Sequence, residues 1–132
     1  MLTYLTGDEL VQLFNSDEKF AIIDVRDDDW VQGNIKGSMH IPSAQFDHTR
    51  AKKLAEELEK RNISTVIFHC HFSQQRGPSG AKKFSNVVEW EMPNSKFDVR
   101  VLQGGWGDFF RKNKGNDALI ERHDDHDEDY YY

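Results

Sequence analysis

A chain of 132 residues and 15.4 kDa has material for one domain with one core, and leaves no room for a large tyrosine phosphatase domain with its insertions. Its formal charge of −6 and pI near 5.4 argue against nucleic acid or an anionic membrane as the main partner, so a small anion has to be captured by local positive potential. No apolar stretch approaches the roughly 18 residues of a membrane span, the N-terminus lacks a signal peptide's basic and apolar regions, and Cys70 is the only cysteine, so the expectation is a soluble cytoplasmic or nuclear protein with no disulfide, metal or resident cofactor.

Thr6 and Glu9 have the spacing of a capping box, and Leu10, Leu13 and Phe14 follow at helical intervals, which predicts a helix over about 7–15. The mostly apolar run Phe20 to Val25 reads as a strand covered on both faces, closed by Asp24 and Arg26. One helical turn is expected over Asp27–Val31, a turn over Gly33–Gly37, and a short strand from Ser38 to Ile41 that Pro42 stops. Ala51, Leu54, Ala55 and Leu58 make one stripe in a helix from Asp47 to Arg61. Val66, Ile67 and Phe68 form a second buried strand; Ala81, Phe84, Val87 and Val88 bury one side of a helix over about 78–90. Phe97 to Leu102 is expected to be the last strand, followed by Gln103–Gly107 and a helix in which Trp106 and Phe109 serve the core. Strands alternating with helices at these intervals predict an α/β fold with a largely parallel, helix-covered sheet. From His123 to Tyr132 the chain is acidic with little apolar material beyond three tyrosines, which reads as a disordered tail; weak cation binding by its two histidines, and docking or phosphorylation, are the alternatives.

The chemistry concentrates between Thr65 and Ser79. Cys70 stands at the C-terminal end of a strand, Arg76 follows after five residues, and Gly77-Pro78-Ser79 starts a helix, where a proline costs nothing because its missing N–H would have been unpaired. Ligands of open α/β sheets bind beyond the carboxyl ends of strands, and a helix N-terminus offers free amides to an anion. Cys70 is thus a candidate nucleophile acting as its thiolate, Arg76 a fork able to grip two oxygens at once, and His71, Phe72, Ser73, Gln74 and Gln75 the intervening oxyanion loop. The Ser73 hydroxyl is a candidate to hydrogen-bond to the sulfur or to protonate it on departure. His69 is read as a structural donor holding the loop, and Asp24 with Arg26 as a pair bracing adjacent loops. A general acid is not evident: Asp28, Asp29 and His71 are the candidates, each with a plainer reading as a solvated or outward-facing side chain.

Ile23-Asp-Val-Arg26, Gly33-Asn-Ile-Lys-Gly37, His69-Cys70 through Arg76-Gly-Pro78 and Leu102-Gln-Gly-Gly105 together resemble the rhodanese-fold superfamily, and within it the mitotic-inducer type of dual-specificity phosphatases with their small single-domain fungal and plant relatives, yeast-type arsenate reductases included. The resemblance covers about residues 1–115. It implies a rhodanese-like catalytic domain over 1–115, with a central, mostly parallel sheet of about five strands and helices on both faces, and a separate tail over 116–132. It implies a cysteine-dependent phosphatase acting on a phosphorylated protein through a cysteinyl phosphate. The alternative is an arsenate reductase that takes a small oxyanion, uses glutathione as co-substrate and is cleared by glutaredoxin. Sulfurtransferases of the superfamily typically have four residues between cysteine and arginine, whereas this chain has five; sulfur transfer and a non-catalytic phospho-binding module are the minor readings. Two departures stand out: Asn34 replaces the histidine of the usual Gly-His-Ile, and the second, protective cysteine of the large mitotic phosphatases is missing.

Overall fold

The computed structural model describes residues 2–123. Five parallel strands, β1 (Thr3–Leu5), β2 (Phe20–Asp24), β4 (Met39–His40), β5 (Thr65–His69) and β6 (Asp98–Leu102), make a sheet in the order β1-β6-β5-β2-β4. Helices α1 (Gly7–Phe14) and α4 (Gly105–Asn113) cover one face, and α2 (His48–Lys60) and α3 (Arg76–Glu91) the other. The α/β architecture with about five parallel strands and two helical layers is as the sequence led one to expect.

Central strands feed both cores, which is why they lack a polar alternation. In β5, Val66 and Phe68 join the side of α2 and α3 while Ile67 joins the side of α1 and α4; in β2, Ala21 and Ile23 oppose Ile22 in the same way. The capping box of α1 forms in both directions, with the Glu9 amide donating to Thr6 Oγ1 at 3.1 Å and the Thr6 amide donating to Glu9 Oε1 at 2.8 Å. Asp47 caps α2 by accepting from the Arg50 amide at 2.9 Å. The in-register pairing of β2 with β5 sets Asp24 opposite His69, so both strands deliver their last side chains to the same edge of the sheet.

Three expectations need correction. β1 was not anticipated, since three residues at a sheet edge show no usable period. Gly33–Ile35 is not only a turn: it forms β3, antiparallel to β7 (Ile120–Arg122), so Phe97–Leu102 does not contain the last strand. The boundary at 115 is accordingly too early. Leu119 and Ile120 are 5% and 3% exposed and join the core beside Ile35 and Trp106, so the domain continues through at least Arg122. His123 is also engaged: Nδ1 donates to the Val31 carbonyl at 2.9 Å, Nε2 lies 2.8 Å from Asn34 Oδ1, and its ring packs on Trp30, which also stacks on His40. The expectations for the acidic and tyrosine-rich remainder fall on residues 124–132, outside the described residues.

Candidate active site

The end of β5 and the start of α3 position every atom of the loop. Gly77 is the close point: a Cβ there would stand 3.2 Å from the Cys70 nitrogen and from His69 Cα, a tight approach that glycine relieves as the first turn of α3 rests on the strand end. This proximity lets the Gly77 amide donate to Cys70 Sγ at 3.2 Å. An amide of a helix's first turn is the donor type that favours anionic sulfur.

A second helix fixes the outer side of the loop. The Trp106 amide donates to the Cys70 carbonyl at 3.0 Å, and the Gly107 amide to the His71 carbonyl at 2.8 Å. Gly105 allows that approach with φ +59°, where a Cβ would lie 2.6 Å from both carbonyl oxygens. His69 adds a third tie: Nδ1 donates to the Cys70 carbonyl at 3.0 Å. Among the described residues, the amides of residues 71–75 donate to no protein acceptor, so the loop keeps its N–H groups available.

Beneath the loop lies a buried charge network. Arg26 and Asp24 are both 0% exposed and joined by Nε at 3.0 Å and Nη2 at 2.7 Å. Arg26 also donates to the Gly33 carbonyl at 2.6 Å and the Asp29 carbonyl at 3.3 Å, and lies 4.6 Å above the Trp106 ring. Burial pushes the Asp24 carboxyl up, but the Arg26 guanidinium bonded to it outweighs that and holds the group below its ordinary value. Burial lowers His69 more than nearby Asp24 raises it, leaving a neutral ring with its proton on Nδ1 and Nε2 unpartnered, 3.8 Å from Asp24. Arg26 thus ties Asp24, at the end of β2, to the backbone of Asp29 and Gly33.

Arg76 is where the sequence reading needs most revision. Its guanidinium does not stand free over the loop: Nη1 and Nη2 bind the two carboxylate oxygens of Asp29 at 2.9 and 2.8 Å, and Nη1 also reaches Asp27 at 3.2 Å. Asp29 is thus held at both ends, its carbonyl by Arg26 and its carboxylate by Arg76. The Arg76 hydrogen bonds bring the Asp29 carboxyl down to about 2, which removes it as a proton donor at neutral pH in this state. Asp27 is also lowered: against the effect of burial, it accepts from Ser43, the Ala44 amide and Arg76. Arg76 itself is raised by the same hydrogen bonds to Asp29 and Asp27.

Other candidates are placed less favourably for their expected roles. Ser73 is buried with φ +58°, and its hydroxyl has no hydrogen-bond partner, so in this state it makes no bond to the Cys70 sulfur. His71 is half-buried against Phe72, and burial lowers its pKa. Phe72, 54% exposed, is an apolar rim on the loop; Gln74 and Gln75 are exposed. Asp28 is exposed and enters none of these contacts. Sequence reasoning missed Asp27 and the full role of Asp29. The signal was there in the three consecutive aspartates just beyond a strand's carboxyl end, beside the expected anion site.

A family model described as the rhodanese-like domain matches residues 6–112. The chain belongs to the rhodanese-like domain family. Among its rhodanese-like relatives, the dual specificity phosphatase ibp1 of Schizosaccharomyces pombe is 32% identical, over 91% of this chain and 96% of that protein. Arsenical-resistance protein 2 of Saccharomyces cerevisiae is also 32% identical, over 80% of this chain and 86% of that protein. The structure of an As-Sb reductase from Leishmania major superposes with a TM-score of 0.80 at 28% identity, covering 95% of each chain. The chain is thus similar both to a protein named as a phosphatase and to proteins named for arsenical resistance and As-Sb reduction.

Proposed function

We propose that this protein is a small cysteine-dependent protein phosphatase. The observation that carries the reading is the position of Cys70 Sγ at the first turn of α3, where it accepts from Gly77, beneath a five-residue loop of undonated amides that ends in Arg76. The Cys70 thiolate attacks phosphorus, the P–O bond to the ester breaks, and the leaving oxygen departs with the bonding pair and takes a proton from solvent or substrate. Water then cleaves the cysteinyl phosphate, releasing inorganic phosphate and the thiolate. Loop amides and Arg76 hold the equatorial oxygens, where charge is greatest. Because Asp29 is ionised and His71 is a weakened base, neither is poised to protonate a leaving group, which favours aryl esters such as phosphotyrosine over phosphothreonine.

Arsenate reduction is the second reading, favoured by the similarity to the two arsenical proteins. There the Cys70 thiolate would bond to arsenic as arsenate loses an oxygen as water, a glutathione thiolate would attack the Cys70 sulfur so that the S–As bond breaks with its pair left on arsenic as arsenite, and glutaredoxin would reduce the resulting Cys70–glutathione disulfide, since the chain has one cysteine. Parallel assays of aryl phosphate hydrolysis and of arsenate reduction coupled to glutathione and glutaredoxin, each with Cys70→Ser, separate them. Hydrolysis lost in Cys70→Ser without arsenate turnover supports the phosphatase; the reverse result replaces it with the reductase.

A further inference from the structure

Two cavities open along α3, on the side facing the Ser43–Gln45 turn and the start of α2. One, of about 340 Å³, begins at Arg76 and Gln75; the other, of about 450 Å³, ends at Trp90. They share Ser79 and Lys83 in their walls, so they lie side by side along α3 as two halves of a groove leading from the catalytic loop. Arg76, Ser79, Lys83 and Trp90 recur at helical intervals along one face of α3, and the 14-residue distance corresponds to about 21 Å, or roughly six residues of extended peptide.

The groove's charge is opposite to that of the molecule. On a chain of net charge −6, Lys82 and Lys83 line it and no acidic side chain does, while Arg76 at its head is paired with Asp29 and Asp27. Lys83 donates to the Phe46 carbonyl at 2.8 Å, and among the described residues neither Lys82 nor Lys83 has a carboxylate within ion-pair distance. At the far end Trp90 is 83% exposed, the most exposed large apolar side chain described. Isolated exposed apolar groups are ordinary, but this one closes a basic groove continuous with an anion site.

We infer that this groove binds the polypeptide flanking the phosphorylated residue, and that it selects substrates whose flanking residues are acidic. The inference rests on the phosphatase reading and deepens it: the loop takes the phosphate, Lys82 and Lys83 take carboxylates beside it, and Trp90 packs against the peptide at the end of its run. A small oxyanion fills the loop and leaves the groove untouched.

The test measures binding to Cys70→Ser protein, so that turnover is not required, using labelled phosphotyrosine peptides with three acidic residues on each side or three lysines in the same places. Binding of the acidic peptide about ten-fold or more above the lysine peptide, reduced about five- to ten-fold by adding Lys82→Ala and Trp90→Ala, would support the inference. Equal affinity for the two peptides, or no effect of the added substitutions, would overturn it. So would glutathione competing for the groove more strongly than the acidic peptide does, which would mark a site for a thiol co-substrate. Lys82 and Trp90 lie outside the catalytic loop, and aryl phosphate hydrolysis by the Lys82→Ala/Trp90→Ala protein is expected to match wild type. If wild-type protein fails to hydrolyse aryl phosphate while peptide selection by the groove persists, the hydrolytic reading falls and the groove stands.

Discussion

Asp29 holds the guanidinium of Arg76 through both carboxylate oxygens, at 2.9 and 2.8 Å, across 47 residues of sequence. The geometry is the one an arginine uses for two oxygens of a phosphate, so an internal carboxylate occupies the hydrogen-bonding edge that the proposed substrate would use. Arg26 fixes the backbone of Asp29 through its carbonyl, which keeps the carboxylate in place. On the proposed mechanism, an oxyanion gripped by Arg76 takes the place of Asp29.

Replacing Asp29 with Asn removes the competing charge and is expected to tighten inhibition by inorganic phosphate about two- to five-fold, the range for a partly exposed ion pair. Phosphate inhibition constants for wild type and Asp29→Asn measure it. An unchanged or weaker constant would mean that Asp29 presents Arg76 to the ligand and does not compete for it.

Two glycine substitutions separate backbone strain from crowding. Gly105→Ala places a methyl group 2.6 Å from the Cys70 and His71 carbonyls at φ +59° and is expected to cost about 3 kcal/mol or more, with loss of turnover as the loop moves. Gly37→Ala has φ +75° but nothing within 4 Å, so only about 1–2 kcal/mol and no kinetic effect are expected. Urea unfolding with aryl phosphate kinetics on both variants tests the contrast.

His69 and His71 both have pKa values lowered by burial. The unfolded chain protonates them near pH 6.5 while the folded one resists, so their neutral forms favour folding fully above that pH and stability is lost as pH falls below it. Unfolding free energy should decline from pH 7 to pH 5 by up to about 1 kcal/mol per pH unit for each. In His69→Asn, which keeps a donor for the Cys70 carbonyl, the decline should be visibly shallower; an identical slope would assign it to other groups.

Ile120→Ala probes the reach of the domain. With Ile120 3% exposed and paired in register with Ile35, truncation is expected to cost about 2–5 kcal/mol, read as a lower unfolding midpoint. A loss under about 0.5 kcal/mol would show that β7 contributes little to the fold.

What could be read from the sequence followed local rules. The capping box at Thr6 and Glu9, the apolar stripe of α2 and the doubly buried runs of β2 and β5 each announce themselves within a few residues, and the strand-loop-arginine-helix order announces the anion site. What could not be read depends on distant partners. Gly33-Asn-Ile35 looks like a turn because its strand character comes from pairing with residues 120–122. The three aspartates hint at a partner for Arg76, but which of them meet it is decided only by folding, which brings Asp29 and Asp27 to the guanidinium and leaves Asp28 exposed. His123 likewise meets Asn34, at the position where the family usually has histidine, only through tertiary structure.

With Cys70 as the chain's one cysteine, and only 3% exposed, the sulfur that would carry the chemistry is also the only site for a thiol-selective label. The extent of alkylation in a preparation thus counts its intact active centres by mass spectrometry. A ligand that fills the loop should slow that alkylation in proportion to its occupancy, so affinities for phosphate, arsenate and peptides become measurable on unmodified protein without a chromogenic substrate.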